Sequence, residues 1–380
     1  MTTRRVRHVA ELDSIRGVAL IVVLLSHFWL VWPTWTFTTV FAHGGFIGVD
    51  LFFVLSGFLI TALLLDEQAR TGAIRVGSFL WRRALRLIPA LWFFLIAQAI
   101  YAVVESYPPF GSKADEVASL RAGGLFVMNW HTLWNPIGAG DLSPLWSLSI
   151  EMQFYVVWPF VVLALLGLHR SPRTVLVTLG VLIVAVTLRR YQLYETQGWY
   201  PAYLRSDSHI DGLMVGALTG CAWVRGWTPD RLPRWLLWAA VAVGGGVLTQ
   251  IRADHRFAYA GGTTLFLAAS ATAVLVAVTT ARPKLGPGAR ALALVGRYSY
   301  GLYLWHFAVF WAATRWSHGW SDEARVASAA AVVAVGVIAS RHLVELPALR
   351  LNRTPRRPPT TWVPPTFSGP AGGPPNPRPG

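Results

Sequence analysis

The chain has 380 residues, of which 54% are hydrophobic and only 13% charged, against about 25% charged in ordinary soluble domains. That composition excludes a soluble globular protein and indicates an integral membrane protein. The formal net charge is +15, only Lys113 and Lys284 among the basic residues are lysine, and a lone Cys221 excludes an intrachain disulfide.

Ten segments are long and apolar enough to cross a bilayer, at residues 12–32, 46–66, 84–104, 146–168, 173–190, 208–224, 234–251, 259–279, 297–316 and 324–344. The expected fold is therefore all-α, with about ten transmembrane helices in one bundle. Residues 1–350 form the membrane domain and residues 351–380 a Pro-rich tail, too poor in apolar residues to pack and expected to be disordered and cytoplasmic.

The first segment, L-D-S-I-R-G-V-A-L-I-V-V-L-L-S-H-F, follows Arg4, Arg5 and Arg7. It has no small-residue cleavage site behind it and is expected to be a retained span. Arg16 stands at its mouth and His27 eleven residues later. At about 100° and 1.5 Å per helical residue, the two side chains share nearly one face, roughly 16 Å apart along the axis. Ionisable groups inside a span are costly and usually face a polar interior. The pair thus reads as a site joining surface to interior, with a hydrogen bond to a neighbouring helix as the structural alternative for His27.

The second segment starts G-G-F-I-G-V-D-L-F-F-V-L-S-G-F and carries Asp50 about one turn in, as a helix cap, an organiser of the Gly-rich start, or a site residue. Before the third segment, S-F-L-W-R-R-A-L-R-L-I-P places Arg82, Arg83 and Arg86 on neighbouring helix positions. Arginine forks fit phosphate oxygens; a topology signal or lipid-headgroup anchor explains the same cluster. The fourth segment enters as L-W-S-L-S-I-E-M-Q-F-Y with Glu151, either site residue or helix-packing glue.

The sixth segment opens R-S-D-S-H-I-D-G-L, giving Asp207 and Asp211 capping or site roles, and continues G-L-M-V-G-A-L-T-G. Its small-xxx-small spacing of Gly212, Gly216 and Gly220 lets helices approach closely. The ninth segment, Y-S-Y-G-L-Y-L-W-H-F, brings Tyr303 and His306 near mid-membrane. Trp29, Trp32, Trp35, Trp130, Trp134, Trp316 and Trp320 cluster near predicted outer ends, where indoles anchor at the interface.

With the N-terminus inside, the inner loops and tails hold 24 of the 33 lysines and arginines. That asymmetry puts both termini in the cytoplasm. Because the basic excess follows topology and forms no single basic domain, no nucleic-acid partner is expected; membrane lipid or a phosphorylated small molecule fits better. Threading the segments alternately brings His27, Asp50, Glu151, Asp211, Tyr303 and His306 into the outer half of the bilayer as a candidate polar chamber. The histidines are isolated and there is no H-x-x-x-H, so no metal is expected.

From L-D-S-I-R-G to about H-L-V-E-L-P the chain resembles the acyltransferase-3 family of integral-membrane O-acyltransferases, which includes O-antigen acetylases. The resemblance rests on five motifs in order: Arg16-x10-His27, G-V-D-L-F-F-V-L-S-G-F-L-I, R-R-A-L-R-L-I-P, L-W-S-L-S-I-E-M-Q-F-Y and S-Y-G-L-Y-L-W-H. It implies transfer of an acyl group, commonly acetyl from acetyl-CoA, to a sugar hydroxyl of a surface glycan or secreted glycoside, in the bacterial cytoplasmic membrane.

By the same resemblance His27 is the essential histidine with Arg16 its partner, and Arg82, Arg83 and Arg86 fall on the basic motif linked to acyl-CoA handling. Glu151 falls on the W-S-L-S-x-E position; the next residue, usually acidic or Gln, is Met152 here. Some relatives carry a further C-terminal esterase-like domain. None is expected in this chain, so a relay to one would need another protein.

The expected mechanism has Arg16 and the Arg82, Arg83, Arg86 face holding coenzyme A phosphates, with the thioester extended toward His27. His27 acts as general base and Glu151 orients its imidazole. Asp50, Asp211, Tyr303 and His306 are acceptor-site candidates. A cell-envelope glycan is the first acceptor considered and the sugar or hydroxyl of a macrolide-type metabolite the second. A multi-pass transporter is the competing class, although the two halves show no convincing internal repeat.

Overall fold

The computed structural model describes residues 4, 9–32, 41, 43–105, 110–168, 172–280 and 285–351, all of whose regular elements are helices. Trp35 and the expectations for the tail from residue 352 lie outside the described residues.

Seven helices among the described residues are long and apolar enough to cross a membrane. Five come first: α1 (Ala10–Val31), α2 (Gly48–Thr71), α3 (Val76–Val104), α6 (Leu145–Leu168) and α7 (Pro172–Gln197). The other two are the long segments around α12 (Thr263–Thr279) and α15 (Asp322–Ser340). Between α3 and α6 lie α4 (Lys113–Gly124) and α5 (Met128–Trp134). After α7 come α8 (Trp199–Leu204), α9 (Ser206–His209), α10 (Asp211–Val224) and α11 (Trp235–Gln250). The remaining helices are α13 (Pro287–Arg297), α14 (Ser299–Trp316) and α16 (Leu346–Arg350).

The expected third span is longer than its apolar run. Helix α3 starts at Val76, so Arg82, Arg83 and Arg86 belong to the spanning helix itself. The expected sixth span is 14 residues in α10, about 21 Å at 1.5 Å per residue and short of a hydrocarbon core of about 30 Å. The expected ninth span, 297–316, falls on the 18 residues of α14, with only Arg297 in the preceding α13. Ser299, Tyr300, Tyr303, His306 and Arg315 add polar groups to α14, which is not among the seven.

Helix α2 is apolar around its circumference, a pattern that belongs inside a bundle. Phe53, Val54, Leu55, Phe58, Ile60 and Leu64 are all buried. It ends where Gly72 takes a left-handed conformation at φ 75°, which glycine adopts without steric cost. Against α2 lies α10, held at backbone contact by the glycine stripe. A Cβ added at Gly216 would stand 2.1 Å from the Val54 carbonyl oxygen, and one at Gly220 2.7 Å from that of Phe58. Small residues thereby do in this pair what the spacing predicts.

Helix α1 is seated against α2, α13 and α14. Its approach to α13 is equally close, since a Cβ at Gly296 would lie 1.8 Å from the Asp13 carbonyl oxygen. Packing on both sides fixes the rotation of α1, and with it the directions of Arg16 and His27.

Candidate active site

Arg16 and His27 share the single helix α1. The lower group opens onto a cavity of about 790 Å³, counted with its open mouth, between α1, α2, α3, α6 and α14. Arg16, Arg83 and Arg86 line one part of it, Ser56, Glu151 and Tyr155 a second, and Ser147 and Tyr303 a third.

Arg16 reaches Asp13 Oδ1 at 3.3 Å, one helical turn back. The Arg83 guanidinium lies 5.6 Å from the ring centroids of both Phe79 and Tyr155. Arg86 has no hydrogen-bond or ion-pair partner among the described residues. Three guanidinium groups thus converge on one cavity against the single lining carboxylate of Glu151 and the Asp13 partner of Arg16, an excess of positive charge that favours phosphate oxygens. Arg82 does not join them: its side chain is 43% exposed and pairs with Glu67 at 3.3 Å.

Glu151 occupies the cavity wall, where one oxygen accepts hydrogen bonds from the Ser56 and Tyr155 hydroxyls. The expected orientation of the His27 ring by Glu151 is therefore replaced by another contact. His27 Nδ1 lies 2.7 Å from His306 Nε2, and the two rings are within 8° of parallel with centroids 5.1 Å apart. Sequence reasoning placed both histidines in the chamber without pairing them, because 279 residues separate them.

Tyr303 connects the ring pair to the cavity. Its ring centroid is 5.6 Å from that of His306. Its hydroxyl donates to the Pro144 carbonyl at 2.7 Å and lies 2.6 Å from Ser147 Oγ. Ser147 Oγ also lies 3.3 Å from the same carbonyl, so the two hydroxyls share one acceptor and either can donate to the other.

Two acceptor-site candidates stand elsewhere. Asp50 does not cap α2; it is buried, and its Oδ1 lies 3.1 Å from His209 Nε2. His209 Nδ1 in turn donates to the Tyr203 carbonyl, so this pair ties α2 to the short α9. Asp211 is paired with Arg190, the two side chains only 0% and 2% exposed. That buried pair fastens α7 to α10, and neither aspartate lines the cavity. Asp207 sits between Arg189 at 3.2 Å and Arg205 at 2.8 Å.

His209, Arg190 and Gln153 are the polar residues missed from sequence. Gln153 Nε2 donates to the Phe126 carbonyl at 2.9 Å and to Asn129 Oδ1 at 3.1 Å, and its Oε1 accepts from Ser206 at 2.6 Å. The local polar contacts after Glu151 thus run through Gln153, while Met152 packs among apolar side chains. They also hold Phe126, a non-glycine residue at φ 57°.

A family model described as an acyltransferase domain matches residues 9–341. The chain is 31% identical over 336 residues to peptidoglycan O-acetyltransferase OatA of Listeria monocytogenes, covering 81% of this chain and 50% of that protein. It is 29% identical over 327 residues to a Bacillus subtilis protein provisionally named peptidoglycan O-acetyltransferase YrhL, covering 81% and 49%. The chain therefore spans about half the length of these relatives. No solved structure matches.

Proposed function

The chain belongs to the acyltransferase-3 family, and from that premise we propose that it is a bacterial membrane O-acyltransferase moving an acetyl group from an acyl-CoA to a hydroxyl of a cell-envelope glycan. The observation that carries this reading is the cavity lined by Arg16, Arg83 and Arg86 and reaching Tyr303, whose ring lies against the His27–His306 pair. Peptidoglycan, the acceptor in the names of the relatives, is the first glycan to try.

In this reading the polypeptide crosses the bacterial cytoplasmic membrane ten times with both ends in the cytoplasm, α10, α11 and α14 supplying the three further crossings. The excess of lysine and arginine on that side supports the orientation. Arg16, Arg83 and Arg86 then face the compartment that holds acyl-CoA and grip its phosphates. The pantetheine arm runs past Ser56, Glu151 and Tyr155, and the span of about 16 Å from Arg16 to His27 suits its extended length.

The acceptor hydroxyl oxygen attacks the thioester carbonyl carbon while His27 takes the hydroxyl proton. The tetrahedral intermediate collapses with cleavage of the carbon–sulfur bond. The leaving thiolate takes the proton back from His27, giving an ester and free coenzyme A.

Mass spectrometry of envelope glycan from cells expressing the parent or His27→Ala at matched abundance tests the reading. Acetyl ester is expected with the parent and not with His27→Ala. Equal acetylation in both would overturn it.

A further inference from the structure

His306 makes two kinds of contact that together determine where the protons lie. Its Nδ1 is 2.8 Å from the Tyr303 carbonyl oxygen and 3.1 Å from that of Leu302. Carbonyl oxygens only accept, so Nδ1 carries hydrogen. In a neutral ring Nε2 is then bare and accepts. The atom facing it at 2.7 Å is His27 Nδ1, which must be the donor.

The alternative, a doubly protonated His306 donating to His27, would bury an imidazolium without a carboxylate among the groups it contacts. His306 is 1% exposed, and its ring faces Tyr303, Phe307, Phe310 and His27. Burying an uncompensated charge is costly. The ring is also sterically held, with Phe310 edge-on at 5.7 Å and 84°.

We infer that His306 is a positioning residue that fixes His27 in the Nδ1–H tautomer, leaving His27 Nε2 as the basic atom of the site. This rests on the acyl-transfer reading only for its consequence. The acceptor proton moves to Nε2, the His27 imidazolium keeps its Nδ1–H on His306, and the Nε2 proton leaves with the thiolate. His306 ends the cycle as it began. A neutral imidazole here does the orienting that a carboxylate does in hydrolase triads, without adding a negative charge.

The test uses full-length protein in nanodiscs with ring-15N-labelled histidine, His27 signals being assigned by their loss in His27→Gln. The neutral His27 ring is expected to show a protonated Nδ1 and a bare Nε2; a protonated Nε2 overturns the inference. In parallel, His306→Leu is expected to lower kcat about 10²–10⁴-fold, the range a general base contributes, with donor KM changed less than about 3-fold. His306→Gln, whose carbonyl can accept from His27 Nδ1, recovers at least ~10-fold over Leu.

A folded His306→Leu variant at parental kcat overturns the inference. If that variant does not fold, the parent's tautomer decides. A parent with the expected tautomer that consumes no thioester removes the acyl-transfer reading and leaves the pairing standing.

Discussion

The arginine cluster divides into residues that line the cavity and one that does not, and this makes a sharp prediction. Arg83 and Arg86 border the cavity, whereas Arg82 points to Glu67 with its side chain 43% exposed. A hydrogen bond to a charged group contributes about 1.5–3 kcal/mol, and each 1.4 kcal/mol is about tenfold in binding. Arg83→Gln and Arg86→Gln should therefore each raise the acetyl-CoA KM by roughly 10–150-fold. Arg82→Gln loses only an exposed pair, worth about 0.2–1 kcal/mol of stability, and should move KM less than about 3-fold. Initial rates of thiol release in proteoliposomes, at varied acetyl-CoA and fixed acceptor, measure this directly. If Arg82→Gln weakens the donor as much as Arg86→Gln, the cavity is not the phosphate grip and the reasoning fails.

Four further outcomes concern the scaffold. Gly216→Ala puts a Cβ 2.1 Å from the Val54 carbonyl oxygen and should cost about 1–3 kcal/mol by overpacking, read as a lower Tm in detergent. Gly180→Ala, whose Cβ meets nothing, should be neutral or stabilise by up to ~1 kcal/mol. Arg190→Met leaves Asp211 buried and unpaired and should cost about 3–5 kcal/mol, most of it regained in Arg190→Met/Asp211→Asn, which leaves no buried charge; an equally unstable double variant would count against a paired role. Burial, reinforced by Glu116, pushes the Asp141 carboxyl up to about 6 from 3.8. The folded state then holds this proton more firmly than the unfolded chain, so its stabilising effect is full below about pH 4 and is lost as pH rises through 6. Asp141→Asn should match the parent near pH 4 and exceed it by up to about 3 kcal/mol at pH 7.5, in chemical unfolding followed across that range.

What could be read from sequence was whatever depends on spacing along one helix. Arg16 and His27 on a common face and the glycine stripe of α10 both follow from a period of 3.6 residues. Rotation about the helix axis was harder to read. Arg86 lies about 40° from Arg82 and about 60° from Arg83 on the helical wheel, so spacing could not tell which of them shared the cavity. Only the neighbouring α1, α2 and α6 decide that.

Pairings across the bundle were out of reach for a different reason. His27–His306, Asp50–His209 and Arg190–Asp211 join residues 279, 159 and 21 positions apart, and each partner alone has several plausible mates. His209 carried a usable signal, a histidine between Asp207 and Asp211 at a helix start, but local capping absorbed it. Glu151 was given His27 as its neighbour where the structure gives it Ser56 and Tyr155, because depth along a span says nothing about direction.

The central claim is that a donor thioester is broken at His27 and its acyl group appears on a glycan hydroxyl. Purified protein in proteoliposomes, given acetyl-CoA labelled in the acetyl group and a peptidoglycan fragment, tests it in one measurement. The account predicts free thiol and labelled acetyl ester formed in equal amounts by the parent, and neither by folded His27→Ala. Movement of the fragment across the bilayer with the thioester intact would contradict it and make the protein a transporter.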